Sequence, residues 1–408
     1  MESVVPILPD DIIHYNILTR VPVVSLLRFK CVSKTWYGLL KSSDFNLVHQ
    51  KRTLEFHNSS EVIIASYDHQ HDGLACTYID ASQPLIGRDV TIKIDEFNTT
   101  TCCKIVGSCN GLILLWSSSS GLALCNPLTR EYRRLSYPPR ELDTTGTVAV
   151  TCVKYGFGYD CLSHHYKIFM ISSTISYLNT TTQRNSEIQV FSTNTNSWRK
   201  IGDVPPFEVL PHNEGVVVNN KLHWIYSDFE VTAERSPKIL TCDLHTEEFE
   251  FGPFQFPYTE MTDLVTYLMG SGGLLYVIMG KAWNFHDSIW VMKEYGVSDF
   301  WIKVVNFERN LIYRVGSCKL RREGGEVLLI KHDSIHSSSL VKFEWYNFRD
   351  GSTKNVEISP GSWRHFISVV AWECISSLTP IPGNDHKYSW VMDKLSNGET
   401  TQKSKISC

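Results

Sequence analysis

The chain has 408 residues, with a hydrophobic content of 42%, a charged content of 20% and a net charge of −4. These values are typical of a globular protein with one large domain or two to three ordinary ones. They argue against nucleic-acid binding by the whole molecule, which would require an excess of basic residues.

Three short helices are predicted at the N-terminus. Pro9 suits a first helical turn, and the two aspartates after it place negative charge where the helix dipole favours it. Val21-Pro22 interrupts this helix, a second apolar stretch covers 23–29, and a third helix begins after Ser33 as its N-cap. Helices this short bury little apolar surface alone, so a partner or the rest of the chain must cover them.

The same region is locally basic. Residues 26–52 contain six lysines and arginines and a single acidic residue, Asp44. Such a surface suits an acidic partner, and a face that contacts only solvent is the alternative.

We expect neither a signal peptide nor a membrane helix from the sequence. Residues 1–9 lack a basic stretch, and the most apolar run, 264–280, is broken by glycines and predicts a hairpin. The 12 cysteines are scattered, with no Cys-x-x-Cys pair of the kind that binds zinc. We therefore expect reduced thiols, no membrane association, and a cytoplasmic or a cytoplasmic and nuclear location.

Beyond residue 52, short runs rich in Val, Ile, Tyr, Phe, Trp and Thr predict strands. Turn residues precede apolar strands at Asn110-Gly111, Asn219-Asn220, Gly272-Gly273 and Gly324-Gly325, at spacings of 109, 53 and 52 residues. The same interval predicts turns near 164 and 57, where His164-His165 and Asn58-Ser59-Ser60 occur.

A period of roughly 50 residues is typical of kelch-like propeller blades of four strands. Six turn sites predict six blades, and the run 365–378 either closes the ring against N-terminal strands or begins a seventh blade. We predict an α+β protein in two parts: a three-helix module at 1–45, a linker and first strand at 46–60, an all-β kelch-like propeller at 61–383 and a polar, flexible tail at 384–408. A two-sheet β-sandwich array is the structural alternative.

Residue types that bind metals or catalyse reactions occur only in fragments. The stretch 68–72, which reads Asp-His-Gln-His-Asp, falls in a polar loop, and the pair His332 and His336 lies beside strands. No G-x-S-x-G, P-loop or Rossmann pattern is present. We therefore predict no catalytic residue, no metal and no cofactor; a copper oxidase using Cys and Tyr is a rival that elemental analysis would test.

Propellers bind partners through loops at one rim. On length alone, the candidate recognition loops are the polar stretches 67–73, 137–147, 172–187 and 227–236.

The N-terminal residues resemble the F-box, the module by which a substrate receptor binds the Skp-type adaptor of a cullin-RING ubiquitin ligase. Val21 stands where Leu is usual, and Ser33 where Cys is common. The resemblance implies that one set of residues forms the adaptor interface or supports it. These residues are Leu8, Pro9, Ile12, Ile17, Leu18, Val21, Pro22, Leu26, Leu27, Val32 and Trp36.

Other motifs resemble the plant F-box proteins with an F-box-associated interaction domain, in particular the S-locus F-box and S-locus F-box-like group. They include Gly107-Ser108-Cys109-Asn110-Gly111, Asn126-Pro127-Leu128-Thr129-Arg130 and Gly156-Phe157-Gly158-Tyr159-Asp160. The resemblance implies a non-catalytic receptor that reaches the cullin through its adaptor and presents a target protein, bound by the propeller, for ubiquitination. For true S-locus members the target is an S-ribonuclease of the style; a non-proteolytic scaffold that binds protein or carbohydrate is the alternative.

Overall fold

The computed structural model describes most of the chain from residue 9 to residue 383, and every structural statement below concerns the described residues. They are 9–56, 61–68, 73–79, 87–92, 103–138, 148–178, 181–202, 204–209, 214–228, 237–252, 256–257, 263–271, 273–281, 286–297, 301–308, 320–321, 326–333, 340–347, 350–356, 369–374 and 377–383. Several sequence predictions fall outside them: Leu8, the turns at 58–60 and 324–325, residues 69–72, His336 and the tail 384–408.

The N-terminal part is helical, as predicted. Its segments are a π-helical turn Ile12–Ile17, a 3-10 turn Leu18–Arg20, α1 Val23–Phe29, α2 Lys34–Lys41 and α3 Ser43–Phe56. The hydroxyl of Ser33 accepts a hydrogen bond from the backbone N–H of Trp36 at 3.1 Å, which confirms the predicted N-cap of α2.

The predicted linker and first strand at 46–60 are wrong for residues 46–56, because α3 continues through them. Contacts far along the chain hold α3 in place: a ring nitrogen of His49 lies 2.9 Å from the carbonyl oxygen of Val21, and Arg52 donates to the Thr19 hydroxyl at 2.6 Å. The apolar residues of α3 follow no regular stripe, so its packing partners rather than its pattern stabilise it.

The rest of the described chain is built from strands. Their bounds are β1 Glu61–Asp68, β2 Gly73–Ile79, β3 Gly87–Ile92, β4 Cys103–Cys109, β5 Leu112–Ser117, β6 Gly121–Asn126, β7 Glu131–Arg134, β8 Val148–Asp160, β9 His165–Leu178, β10 Thr181–Ser192, β11 Ser197–Ile201, β12 Phe207–Val209, β13 Val216–Val218, β14 Lys221–Asp228, β15 Lys238–Asp243, β16 Phe249–Phe251, β17 Asp263–Ser271, β18 Leu274–Lys281, β19 His286–Met292, β20 Trp301–Glu308, β21 Leu320–Arg321, β22 Glu326–Asp333, β23 Leu340–Asn347, β24 Thr353–Val356 and β25 Val369–Cys374.

The described strands pair into antiparallel sheets that follow one another along the chain. Sheet 1 has the order β25-β1-β2-β3, and sheets 2, 3, 5 and 6 contain β4–β7, β8–β11, β17–β20 and β21–β24. Sheet 4 has the order β12-β14-β15-β16, and β13 also pairs with β14. Each sheet contacts the next through one edge strand: β25 contacts β4, β4 contacts β8, β8 contacts β13 and β13 contacts β17. This is the arrangement of a propeller. The predicted all-β propeller behind the helices is confirmed; the number of blades stays a prediction.

The two ends of the propeller meet in sheet 1. Strand β25 pairs with β1, with Glu61 opposite Cys374 and Ser66 opposite Val369. The prediction that the run 365–378 closes against N-terminal strands is therefore confirmed for 369–374.

The predicted hairpin turns that fall among the described residues lie at the expected positions. Asn110 and Gly111 join β4 to β5 with φ of 53° and 81°, and Asn219 and Asn220 join β13 to β14 with φ of 50° and 59°. His164 ends the turn between β8 and β9 with φ of 59°. Asn and Gly tolerate this left-handed backbone better than other residues, which is why these turns were visible in the sequence.

Apolar clusters fill the space between neighbouring sheets. Trp224 of β14 is fully buried between sheets 3 and 4, and its indole N–H donates to the carbonyl oxygen of Tyr155 at 3.1 Å. Gly156 and Gly215 lie against this ring so closely that a Cβ at either position would overlap it. The two glycines therefore let sheets 3 and 4 approach each other.

Candidate functional site

The residues predicted to bind or support the adaptor divide into buried and exposed groups. Leu18 and Leu26 are fully buried and form a core with Val23, Leu40 and Phe45. Val21, Leu27 and Trp36 are partly buried and pack against this core. The exposed members are Pro9, Ile12, Ile17, Pro22 and Val32, and Leu8 lies outside the described residues. The buried group supports a surface that the exposed group forms.

The exposed group belongs to a larger apolar surface. Of the ten large apolar side chains that are well exposed among the described residues, six lie within the first 47 residues. Three of the six, Tyr15, Tyr37 and Leu47, are not among the predicted interface residues. A concentration of exposed apolar side chains in one small module is typical of a surface that binds another protein. The six are Ile12, Tyr15, Ile17, Val32, Tyr37 and Leu47, which we call the apolar patch.

Local contacts stiffen this surface. The Thr19 hydroxyl donates to the carbonyl oxygen of Tyr15 at 2.7 Å, and the Trp36 ring packs edge-on against Phe29 with centroids 5.6 Å apart. The ammonium of Lys41 lies 4.6 Å from the centre of the Tyr37 ring. A surface whose side chains are already ordered loses less entropy on binding.

The helical module lies on one side of the propeller. Leu128, in the turn between β6 and β7, packs against the helical core. Antiparallel pairing puts the turns β4–β5 and β6–β7 at one end of sheet 2 and the turns β8–β9 and β10–β11 at one end of sheet 3. Arg133, just after the β6–β7 turn, donates to Asn196 in the β10–β11 turn, so the two ends lie on the same side. We call this side the turn face and the opposite side the loop face.

Four candidate recognition loops connect strands at the loop face. Chain direction places the connections β7–β8, β9–β10 and β14–β15 there. Asn126, at the turn-face end of β6 in sheet 2, donates to the carbonyl oxygen of Ser377, just after β25 of sheet 1, so β25 ends and β1 begins at the turn face. The β1–β2 connection is then at the loop face as well. The described strand ends at all four connections, which fall within or beside the stretches 67–73, 137–147, 172–187 and 227–236, therefore lie opposite the helical module.

The prediction of a polar loop at 172–187 is wrong. Strands β9 and β10 pair from Lys167 and Ser192 as far as Leu178 and Thr181, so only 179–180 between them lie outside the described residues. β8 pairs with β9 over the same length, and the Thr151 and Thr174 hydroxyls bond at 3.1 Å. The loop was predicted from the length of this polar stretch alone, but its threonines suit strands because threonine is β-branched. The other three stretches are described only at their edges.

Buried charges join neighbouring sheets. The Glu214 carboxylate accepts from Lys104 Nζ at 2.6 Å and from the backbone N–H of Tyr155 at 2.7 Å, with Lys154 Nζ at 3.9 Å. Burial lowers the pKa of Lys154, and the Glu214 carboxylate opposes this shift. These contacts connect β4, β8 and the residues before β13, so the cluster stabilises the propeller.

A second charged cluster surrounds Asp160, which is fully buried. Lys167 Nζ lies 3.2 Å from its carboxylate, and His245 Nδ1 lies 3.1 Å from it. Burial opposes ionisation, but bonds from Ser163, Leu162 and His245 outweigh it and hold the pKa of Asp160 well below its usual range. This cluster connects turns of sheets 3 and 4, so its role is structural.

Neither metal sites nor membrane helices are found in the described part of the chain. No three His, Cys, Asp or Glu side chains there converge as metal ligands would. None of the helices described is both long and apolar enough to cross a bilayer.

Comparison with known proteins identifies both parts of the chain. Residues 6–47 match the F-box domain, and residues 57–370 match the F-box associated beta propeller domain. The F-box protein CPR1 of Arabidopsis thaliana is 30% identical over 333 residues, which cover 74% of this chain and 73% of that protein. An F-box/kelch-repeat protein of the same plant is 28% identical over 310 residues, covering 71% of this chain and 77% of that protein.

Solved structures resemble the chain only distantly. The structure of a family PL25 polysaccharide lyase covers 71% of this chain and 79% of its own, with 11% identity and a TM-score of 0.40. We draw no functional conclusion from a similarity at this level.

Proposed function

Because this chain belongs to the F-box proteins that contain an F-box associated beta propeller domain, we propose that it is the substrate-recognition subunit of a Skp–cullin–F-box ubiquitin ligase. The F-box binds the Skp-type adaptor, which connects the receptor to the cullin, and the propeller binds the protein that is ubiquitinated. The receptor itself catalyses no step.

The observation that supports adaptor binding is the apolar patch. Large apolar side chains that water contacts at Ile17, Val32 and Tyr15 become buried when a partner covers them, which stabilises the complex. The exposed basic residues Arg28 and Lys34 lie in the same module and suit an acidic adaptor surface.

The observation that supports target binding is the direction of the strands that flank the three remaining candidate loops. Their described ends lie at the loop face, whereas the F-box packs on the turn face. A target bound to the loop face would therefore not compete with the adaptor for space. Loops between strands tolerate sequence change, which suits a surface that must distinguish one target from another.

The resemblance to the S-locus group makes an S-ribonuclease of the style the first target to test. Binding of the purified ribonuclease to the receptor–adaptor complex, followed by ubiquitination in a reconstituted ligase, tests this choice. The proposed location, cytoplasmic or cytoplasmic and nuclear, is tested by imaging a fluorescent fusion.

Adaptor binding is tested by co-expressing the full chain with a plant Skp-type adaptor and applying size-exclusion chromatography. We expect a stoichiometric complex that Ile17→Asp weakens strongly, because the new carboxylate would be buried without a partner. Ile302 of β20 gives a matched control: it is 45% exposed against 44% for Ile17, but it lies in the propeller.

Ile302→Asp should leave the complex intact. The double change Leu8→Ala with Pro9→Ala should also weaken it while the propeller stays folded. A wild-type chain that is folded but does not form a complex with the adaptor would overturn the proposal and favour the scaffold alternative.

A further inference from the structure

A short segment after the closing strand fastens the F-box to the propeller. We call residues 377–383 the C-terminal strap; they follow β25 after two residues and run along the turn face from sheet 1 to sheet 2. Leu378 is 3% exposed and is buried in the F-box core with Leu18 and Leu26. Ile381 is equally buried, in the apolar cluster between sheets 2 and 3. The strap therefore contributes one side chain to each part.

Asn126, at the end of β6, binds the strap with its side-chain amide. It is fully buried, and its Nδ2 donates to the carbonyl oxygens of Ser377 at 3.0 Å and Thr379 at 2.9 Å. Its Oδ1 accepts from the backbone N–H of Leu128 at 3.0 Å and of Thr129 at 3.3 Å. The Asn126 side chain thus forms hydrogen bonds both with two carbonyl groups of the strap and with two backbone N–H groups of the turn against which the F-box packs.

A comparable turn elsewhere shows why an amide is needed here. At the end of β15, Asp243 Oδ1 accepts from the backbone N–H of His245 at 2.8 Å and of Thr246 at 3.1 Å. A carboxylate is sufficient for that turn, since it only accepts. Asn126 must also donate to two strap carbonyls, which a carboxylate cannot do.

Further contacts extend the junction. The Arg133 guanidinium donates to the carbonyl oxygen of Pro382 and to the side chain of Asn196 in the β10–β11 turn. Lys30, at the end of α1, lies near Glu131 at the start of β7; burial lowers the pKa of Lys30, and the Glu131 carboxylate opposes the shift. The F-box core therefore packs against Leu128 of the propeller and Leu378 of the strap, and hydrogen bonds from Asn126 and Arg133 join the strap to the propeller.

We propose that the C-terminal strap, with Asn126 and Leu378 as positioning residues, holds the F-box in one fixed orientation on the turn face. This inference rests on the proposed function for its consequence: a target on the loop face is then held in a set direction from the adaptor and from the ligase bound to it. Neither residue belongs to the apolar patch or the loop face, so both affect the ligase only by setting the orientation of the F-box relative to the propeller.

The sharpest test is Asn126→Asp in the full chain. The carboxylate keeps both bonds to the turn but loses the two donors and repels the carbonyls of Ser377 and Thr379. Asp243→Asn is the matched control, because it makes the reverse change at a turn with no strap. Leu378→Ala is a second variant, which removes apolar contact from the junction without adding charge.

The measurement is the distance distribution between spin labels on the F-box and the propeller, by pulsed electron resonance. Ketone-bearing residues at the exposed positions Lys51 and Lys200 accept the labels without reaction at native cysteines. We expect a single narrow peak for the wild type and for Asp243→Asn, and loss of that peak for Asn126→Asp and Leu378→Ala. A broad distribution in the wild type, or narrow peaks in both junction variants, would overturn the proposal.

Two further readouts separate this inference from the proposed function. Adaptor affinity should be the same for the wild type and Asn126→Asp, since the apolar patch is unchanged. In a reconstituted ligase, the self-ubiquitinated lysines of the receptor should form a restricted set in the wild type and a wider set in Asn126→Asp. If the wild type does not bind the adaptor but still gives a narrow distance distribution, the receptor role is refuted. The fixed orientation of the F-box on the propeller is then still supported.

Discussion

The buried imidazole of His223 should make the stability of the propeller depend on pH. His223 is fully buried in β14, with Nδ1 3.3 Å from the carbonyl oxygen of Val216 and Nε2 2.8 Å from the hydroxyl oxygen of Tyr295. The neutral ring fits both partners, donating from Nδ1 and accepting at Nε2. Burial disfavours the charged ring and lowers the pKa of His223 from 6.5 to about 4.

The direction of the effect follows from proton binding. Between pH 6.5 and about 4 the unfolded chain binds a proton at this histidine and the folded chain does not. Stability is therefore complete above pH 6.5 and is lost as the pH falls toward 4. Linkage gives a loss of about 2 kcal/mol between about pH 7.5 and pH 5, and about 3 kcal/mol in the limit.

Urea unfolding followed by tryptophan fluorescence at both pH values measures this loss. We expect His223→Gln to lose about 2 kcal/mol less between the two pH values than the wild type. Any pH-independent cost of the substitution cancels in the comparison. Tyr295→Phe is the control: it removes the hydroxyl but leaves the imidazole buried, so the pH dependence should remain. Equal losses in the wild type and His223→Gln would refute the reasoning.

Two other substitutions test how the sheets are joined. Gly156→Ala should destabilise the propeller by about 1–3 kcal/mol, because the new methyl overlaps the Trp224 ring; Gly202→Ala, with nothing within 4 Å, should change stability by less than about 0.5 kcal/mol in the same urea assay. Glu214→Gln should cost about 3 kcal/mol, because it removes the carboxylate between two lysines, one of them buried. Glu250→Gln, at the more exposed ion pair with Lys221, should lower the free energy of unfolding by about 1 kcal/mol or less. Equal losses of stability in Glu214→Gln and Glu250→Gln would contradict the structural role given to Glu214.

Local chemistry explains which parts of the fold the sequence predicted. The turns at Asn110-Gly111 and Asn219-Asn220 were found because left-handed backbone selects Asn and Gly within a two-residue window. Ser33 was found as a cap because its hydroxyl serves an N–H three residues away. In each case the residues that form the turn or the cap lie within a few positions of one another in the sequence.

Features that depend on distant contacts were missed. Helix α3 is fastened by bonds from His49 and Arg52 to residues 28 and 33 positions earlier. Asn126 lies in a motif that the sequence analysis identified, but its bonds to strap residues 251 and 253 positions later have no local sequence signal. The common side of the four candidate loops became visible only when strand pairing gave each strand its direction.

The apolar patch was predicted in part. Ile12, Ile17 and Val32 follow the family motif, whereas Tyr15, Tyr37 and Leu47 are exposed aromatic and aliphatic residues outside it. A motif records which residues recur, but exposure depends on how the helices pack. Leu18 and Leu26 match the motif equally well and are buried.

Because β25 pairs with β1, the propeller can close only after β25 has been synthesised. The two strands of sheet 1 leave the ribosome about 300 residues apart, which is roughly 15–60 s at 5–20 residues per second. The helical module is translated before either strand, so it is complete up to residue 56 while the ring is still open. A message truncated before codon 369 would produce a chain that lacks β25 and the strap, and with the strap it would lack Leu378 of the F-box core. Such a chain could neither close the propeller nor complete the core of its helical module.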